Sequence, residues 1–240
     1  MLLAGLLSQA PIAQFADYHD LADRRVLLGI PHFWNVASNL PFLIVGVMGL
    51  VLLRHRPAGA SHAWAAMFAG TALVFFGSAY YHLEPNDATL VWDRLPIGLA
   101  FMGFFAALIG EHSRVNGSRL LLPLIAFAIG AVYWWRHTGD LSLWVWVQLA
   151  PMLAIVLVLF LPGQYTHRRY LLYALACYVL AKAFELADRQ VMDWSGGLLG
   201  GHSLKHLLAA AGVLCFYLML KERTAIPGAA GAGARAAPAR

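Results

Sequence analysis

Residues 34–53 read WNVASNLPFLIVGVMGLVLL, twenty positions without a charged side chain, closed by Arg54, His55 and Arg56. A helix of that length rises ~30 Å, which is the thickness of a bilayer's hydrocarbon core. Six further stretches read the same way, at residues 63–82, 91–110, 120–136, 143–161, 170–187 and 203–220. The expected fold is therefore all-α, a bundle of seven transmembrane helices in a multi-pass integral membrane protein. The fourth stretch is short and ends in Tyr133, Trp134 and Trp135, aromatic residues suited to the headgroup region.

Composition agrees with the bilayer as solvent. Of 240 residues, 60% are hydrophobic and 12% charged, where soluble domains carry about 25% charged residues. A water-facing chain of this composition would expose too much apolar surface. The net charge of +5 is spread over short basic clusters between apolar runs, so it does not read as a nucleic-acid footprint. Cys177 and Cys215 lie inside apolar runs and read as packing residues. Met1 to Leu7 is apolar but lacks a basic n-region, so no cleaved signal peptide is expected.

Turn residues mark the connections: His55-Arg56-Pro57, Asn116-Gly117-Ser118, Pro162-Gly163 and Gly196-Gly197. They divide the chain into an N-terminal extramembrane segment (1–32), a seven-helix membrane domain (33–222) and a C-terminal tail (223–240). Beyond Ile226 the tail is Ala, Gly, Pro and Arg, which cannot bury a core, and disorder is expected.

Lysine and arginine set the expected orientation. Arg54, Arg56, Arg114, Arg119, Arg168, Arg169, Lys221, Arg223, Arg235 and Arg240 fall on one side of a seven-helix chain. Arg24, Arg25, Arg136 and Arg189 fall on the other. The richer side is expected to be cytoplasmic, with the N-terminus outside and the C-terminus in the cytoplasm. Arg24 and Arg25 weigh against that assignment.

Ionisable groups inside membrane spans are costly and point to function. Ser78 and His82 end the second span, Asp93 and Arg94 begin the third, and His202, Lys205 and His206 open the seventh. Seven-helix topology puts His82, Asp93, His202 and His206 at one depth. His202 and His206, four apart, share a helix face, as do Ser78 and His82. Three histidines with one open position form a catalytic zinc shell. Asp93 is the carboxylate that could take a proton from water there.

Plainer readings exist for each residue. A histidine pair at a helix start can be interfacial and solvated, and so can His82. Ser78 can bond back to the Val74 carbonyl. Asp93 and Arg94 can form an ion pair, or Asp93 can complement a helix N-terminus. Lys182 and Glu185, three apart, are expected to pair with each other, with Asp188 beyond. Tyr80, Tyr81, Trp92 and Trp194 read as an interfacial aromatic belt. His55, His62, His112, His137 and His167 read as solvated loop residues, and His19 and His32 fit either description.

The set Ser78-x3-His82, Asp93 and His202-x3-His206 resembles the alkaline ceramidase family. That family belongs to a wider group of seven-helix metal-dependent membrane hydrolases that includes the adiponectin and progestin receptors. Phe33-Trp34-Asn35 with Ser38-Asn39, Asp93-Arg94-Leu95-Pro96 and the run from His202 to Leu208 are similar to its motifs. The resemblance spans roughly residues 17 to 222. It implies zinc on His82, His202 and His206, with Asp93 at the attacking water and Ser78 lining the site. It also implies hydrolysis of the ceramide amide to a sphingoid base and a fatty acid, with the lipid entering from the bilayer. Eukaryotic members carry a calcium site in an acidic N-terminal segment. Asp17, Asp20 and Asp23 could contribute to one here, but His32 stands where that family places a glutamate, which argues against calcium. Two other readings stay open: a receptor-like or regulatory seven-helix protein with little turnover, and a haem-binding electron carrier with His82 facing His202 or His206.

Overall fold

A computed structural model describes residues 10–56, 58, 60–113 and 115–227. Its helices are α1 (Phe33–Ala37), α2 (Leu40–His55), α3 (Ser61–Leu83), α4 (Asp87–His112), α5 (Gly117–Thr138), α6 (Ser142–Phe160), α7 (Arg169–Leu186), α8 (Asp188–Trp194) and α9 (Gly201–Glu222). The fold is all-helical, with isolated bridges but no strand among the described residues. Six stretches are long and apolar enough to cross a membrane: α1 with α2 as Phe33–His55, then α3, α4, α5, α6 and α9. The seventh is a bent pair, in which α7 runs into α8 through an 82° turn at Ala187.

The bend follows directly on the span expected over 170–187, which α7 occupies, and adds α8 beyond it. Its cause is local polar demand. The Asp188 carboxylate accepts from the His202 backbone N–H at 2.8 Å and from the Ala22 N–H at 2.9 Å. Straight continuation of α7 would carry that carboxylate away from the start of α9, whose first N–H groups have no partner within the helix. Close approach makes this junction compact. A Cβ on Gly201 would lie 2.0 Å from the Phe184 carbonyl oxygen, so only glycine fits.

Helix α3 sits centrally, packed on α2 and α4, while α9 packs on α7 and α2. Within lipid, helices associate through close packing of small residues. Gly77 is the sharpest instance. Pro96 lies inside α4 and lacks an N–H, so the Trp92 carbonyl has no helical donor. A Cβ on Gly77 would stand 2.1 Å from that oxygen. The bare α-carbon lets α3 touch α4 one residue before Ser78 and one residue before Asp93.

Away from that region, Trp64, Met67, Phe68, Phe104, Ile155 and Phe216 fill the main apolar core. There Glu111 accepts two hydrogen bonds from Arg223, both 2.7 Å, and one from Trp64 Nε1 at 2.7 Å. Arg223 therefore belongs to the packed unit rather than to the tail expected from residue 223. Its neighbours continue the pairing, since Thr166 N donates to Thr224 O and Ile226 N to Gln164 O. The expected disorder beyond Ile226 concerns residues 228–240, and the signal-peptide expectation concerns residues 1–7; both lie outside the described residues.

Residues 10–32 form a non-helical strap across the end of the bundle that holds His82. Asp140 anchors it by accepting from Ile12 N, and Leu141 N donates to Ile12 O. Further along, Gln14 donates to Asp87, while His19 bridges the Tyr81 hydroxyl and Asp87, each at 3.0 Å. The arginines that weighed against the expected orientation are built into this strap. Arg24 and Arg189 both pair with Asp20, and Arg25 with Asp23.

Candidate metal centre

Three imidazoles meet beneath the strap. His82 comes from the last turn of α3, and His202 and His206 come from the first turns of α9. Their ring centroids lie 4.8, 4.9 and 5.0 Å apart, and all three side chains are buried. One nitrogen from each falls within 4.8 Å of the others. This buried group could hold a metal ion.

The spacing suits a single metal ion bonded to more than one of these nitrogens. Two nitrogens on one tetrahedral zinc, each bonded at about 2.05 Å, stand about 3.3 Å apart, and His82 Nε2 lies 3.4 Å from His206 Nε2. Tautomer control is also present. Ser38 Oγ lies 3.3 Å from the Asn35 carbonyl, to which it donates, and 2.8 Å from His206 Nδ1. With its own proton spent on Asn35, the hydroxyl accepts from Nδ1–H and leaves the Nε2 lone pair for a metal. Asn35 is held in turn by Ser203 at 2.7 Å. Haem fits poorly, because rings this close leave no room for a macrocycle between two axial imidazoles.

The remaining expected residues gather on one cavity, lined by Ser78, Asp93 and His206 at its polar end and extending past Val74, Met67 and Phe216. Its volume is about 200 Å³. Asp93 is buried, and its Oδ1 has no hydrogen-bond partner among the described residues. Arg94 does not neutralise it; the two are not ion-paired, and Arg94 instead donates to Gln14 at 2.8 Å and lies over the Trp135 ring at 3.8 Å.

Lys182 and Glu185 pair at 2.6 Å, as expected. The same carboxylate also holds Lys205 at 3.1 Å, and Lys205 Nζ stands 2.8 Å from His202 Nε2. An ammonium and a metal ion cannot share one lone pair, so an ion at the centre would leave Lys205 to Glu185.

Tyr81 departs from the belt reading. It is buried and bonded to His19, while Tyr80, Trp92 and Trp194 are exposed. Tyr18, not singled out from the sequence, lines the cavity from the strap. Burial, and then the Glu185 carboxylate, pushes its phenol up, against the opposing pull of Arg94, so it stays a neutral donor. Among the scattered histidines, His55, His62, His112 and His137 prove helical rather than loop residues.

The acidic residues that could contribute to the doubted calcium site are largely engaged elsewhere. Asp23 is committed to Arg25 Nε at 2.8 Å and to Trp34 N at 3.0 Å, and Asp20 to two arginines. His32 bonds the Asp23 carbonyl through Nδ1 at 2.6 Å. Guanidinium groups thus hold Asp20 and Asp23, two of the three carboxylates that could serve calcium.

No curated protein sequence matches the chain. A family model described as Ceramidase does match, over residues 26–226 of the 240. That stretch covers every helix among the described residues, the histidine group and the cavity lining apart from Tyr18, so the chain belongs to the Ceramidase family.

Proposed function

We propose that this protein is a zinc-dependent intramembrane hydrolase that cleaves the amide of ceramide-like lipids to a sphingoid base and a fatty acid. The observation that carries the reading is the convergence of three buried imidazoles, of which His206 lines the polar end of a largely apolar cavity that also holds Asp93. His82, His202 and His206 would hold the ion. Zinc supplies a Lewis acid and lowers the pKa of water toward ~7.

The chain's own groups carry the rest. Asp93, with an unused carboxylate oxygen, accepts a proton from the attacking water. It later delivers that proton to the amide nitrogen as the C–N bond breaks. Ser78 donates to the carbonyl oxygen as negative charge builds there. Acyl chains lie along the apolar wall, so lipid enters sideways and water is excluded. The excess of arginine and lysine at one set of helix ends supports a cytoplasmic C-terminus and a site toward the outer leaflet.

The test is release of fatty acid from acyl-labelled ceramide by purified zinc-loaded protein in lipid nanodiscs, with Asp93→Ala alongside. Fatty acid from the native protein and none from the variant is the expected result. Stoichiometric zinc with no release from either would assign the chain to the receptor-like alternative instead.

A further inference from the structure

Arg94 is a buried cation that the proposed chemistry does not use. Only 3% of its surface is exposed. Its guanidinium is clamped between rings, 3.8 Å from the Trp135 centroid, 5.4 Å from Trp144 and 5.8 Å from Tyr18. Nη2 donates to Gln14, a neutral partner. Nη1 is buried with no hydrogen-bond partner, and no carboxylate pairs with the group among the described residues. Burying a cation without an anion is strongly unfavourable, and Arg keeps its charge. The side chain lines the same cavity as Asp93.

Among the described residues the rest of the cavity supplies no carboxylate bonded to Arg94, and Asp93 acts on it only through space. The cavity lining carries three cations, Arg94, Lys182 and Lys205, against two carboxylates, Asp93 and Glu185. Glu185 is already shared by both lysines. A neutral lipid would leave the excess charge in place, and a metal ion would add to it. A planar guanidinium fixed on an aromatic ring, with one nitrogen unspent, matches a carboxylate.

We propose that Arg94 forms a recognition subsite for a lipid-borne carboxylate at the polar end of the cavity, one residue along α4 from Asp93. The carboxylate could be the head of an N-acyl amino acid, a few bonds from the scissile amide, or the fatty acid that hydrolysis releases. The first source rests on the amide-hydrolase reading above; the second can be measured without turnover.

Two arms separate the sources. In the first, zinc-loaded protein is given N-palmitoylglycine and N-palmitoylethanolamine, which differ in carboxylate against hydroxyl. The expected kcat/KM ratio favours the glycine conjugate at least tenfold, falls below threefold in Arg94→Met, and is partly kept in Arg94→Lys. A purely structural Arg94 would lower both substrates together and leave the ratio unmoved. In the second arm, palmitate and hexadecanol are titrated against tryptophan fluorescence, since Trp135 and Trp144 flank the guanidinium.

Tighter binding of palmitate by at least tenfold, lost in Arg94→Met, with no substrate preference, assigns the subsite to the product. Equal affinities together with equal kcat/KM values overturn the proposal, as does a preference that survives in Arg94→Met. If neither amide is cleaved, the ceramide assay alone decides the hydrolase reading, and the binding arm alone decides the subsite. If Arg94→Met does not fold, the native ratios and Arg94→Lys still decide it.

Discussion

Gly77→Ala tests how the helix pair α3–α4 positions the chemistry. The added Cβ would lie 2.1 Å from the Trp92 carbonyl oxygen, whereas a close carbon–oxygen contact is about 3.3 Å. The backbones must therefore part by about 1.2 Å at this level. Trp92 cannot yield alone, because its carbonyl sits in α4 immediately before Asp93, and Pro96 packs against the same spot at 3.1 Å. His82 travels with α3 and keeps its partners on α9, while Asp93 travels with α4 and moves away from them. A displacement of about 1 Å at a reacting group can cost ~10²-fold in rate. Overpacking should cost about 1–3 kcal/mol of stability. The assay is kcat on ceramide alongside zinc content, with Gly130→Ala as control because nothing lies within 4 Å of its added carbon. Zinc retained with kcat down about a hundredfold is expected. Full activity in Gly77→Ala would refute the reasoning, and lost zinc with an unperturbed α4 would show that the wrong helix was taken to move.

Ser38→Ala removes the acceptor on His206 Nδ1, and zinc affinity by competition with a chelator should fall about 10- to 100-fold. Glu111→Ala strands Arg223, only 6% exposed, without its carboxylate, so thermal unfolding in detergent should report a loss of about 3–5 kcal/mol. Asp140→Ala removes the acceptor for Ile12, Ser142 and Trp134 and should free the strap, read as at least tenfold faster proteolysis within residues 10–32. Burial opposes ionisation of Asp140, but bonds from Ser142, Trp134 and Ile12 outweigh it and hold the carboxyl below its ordinary 3.8. A depressed folded pKa gives stability that is present above the unfolded value and is lost as pH falls through the folded one. In the native protein the strap should therefore resist protease at pH 5–7 and loosen only well below pH 4.

Much of the bundle is legible in apolar length alone, because lipid demands about twenty apolar residues per span and little else. The histidine group was equally legible, since His202 and His206 share a face and His82 must lie at their depth once the topology is set. The break at Ala187 was not, because no proline or glycine marks it. Its cause is an Asp188 carboxylate that serves a helix end fourteen residues away. Tyr81 misleads for a related reason. Neighbouring aromatics at a helix end look alike in sequence, yet Tyr80 faces outward and Tyr81 inward. The strap carries no periodicity, so its bonds to Asp87, Asp140 and Asp188, and the placement of Tyr18 over the cavity, emerge only in three dimensions. Arg94 appeared beside Asp93 as a natural ion pair. Adjacent residues on a helix point about 100° apart, and that rotation sends the guanidinium to Trp135 instead.

Metal content of purified protein tests the central claim most directly. About one zinc per chain is expected in the native protein and in Asp93→Ala, with zinc lost in each of His82→Ala, His202→Ala and His206→Ala. Unchanged zinc in all three histidine variants would contradict the account.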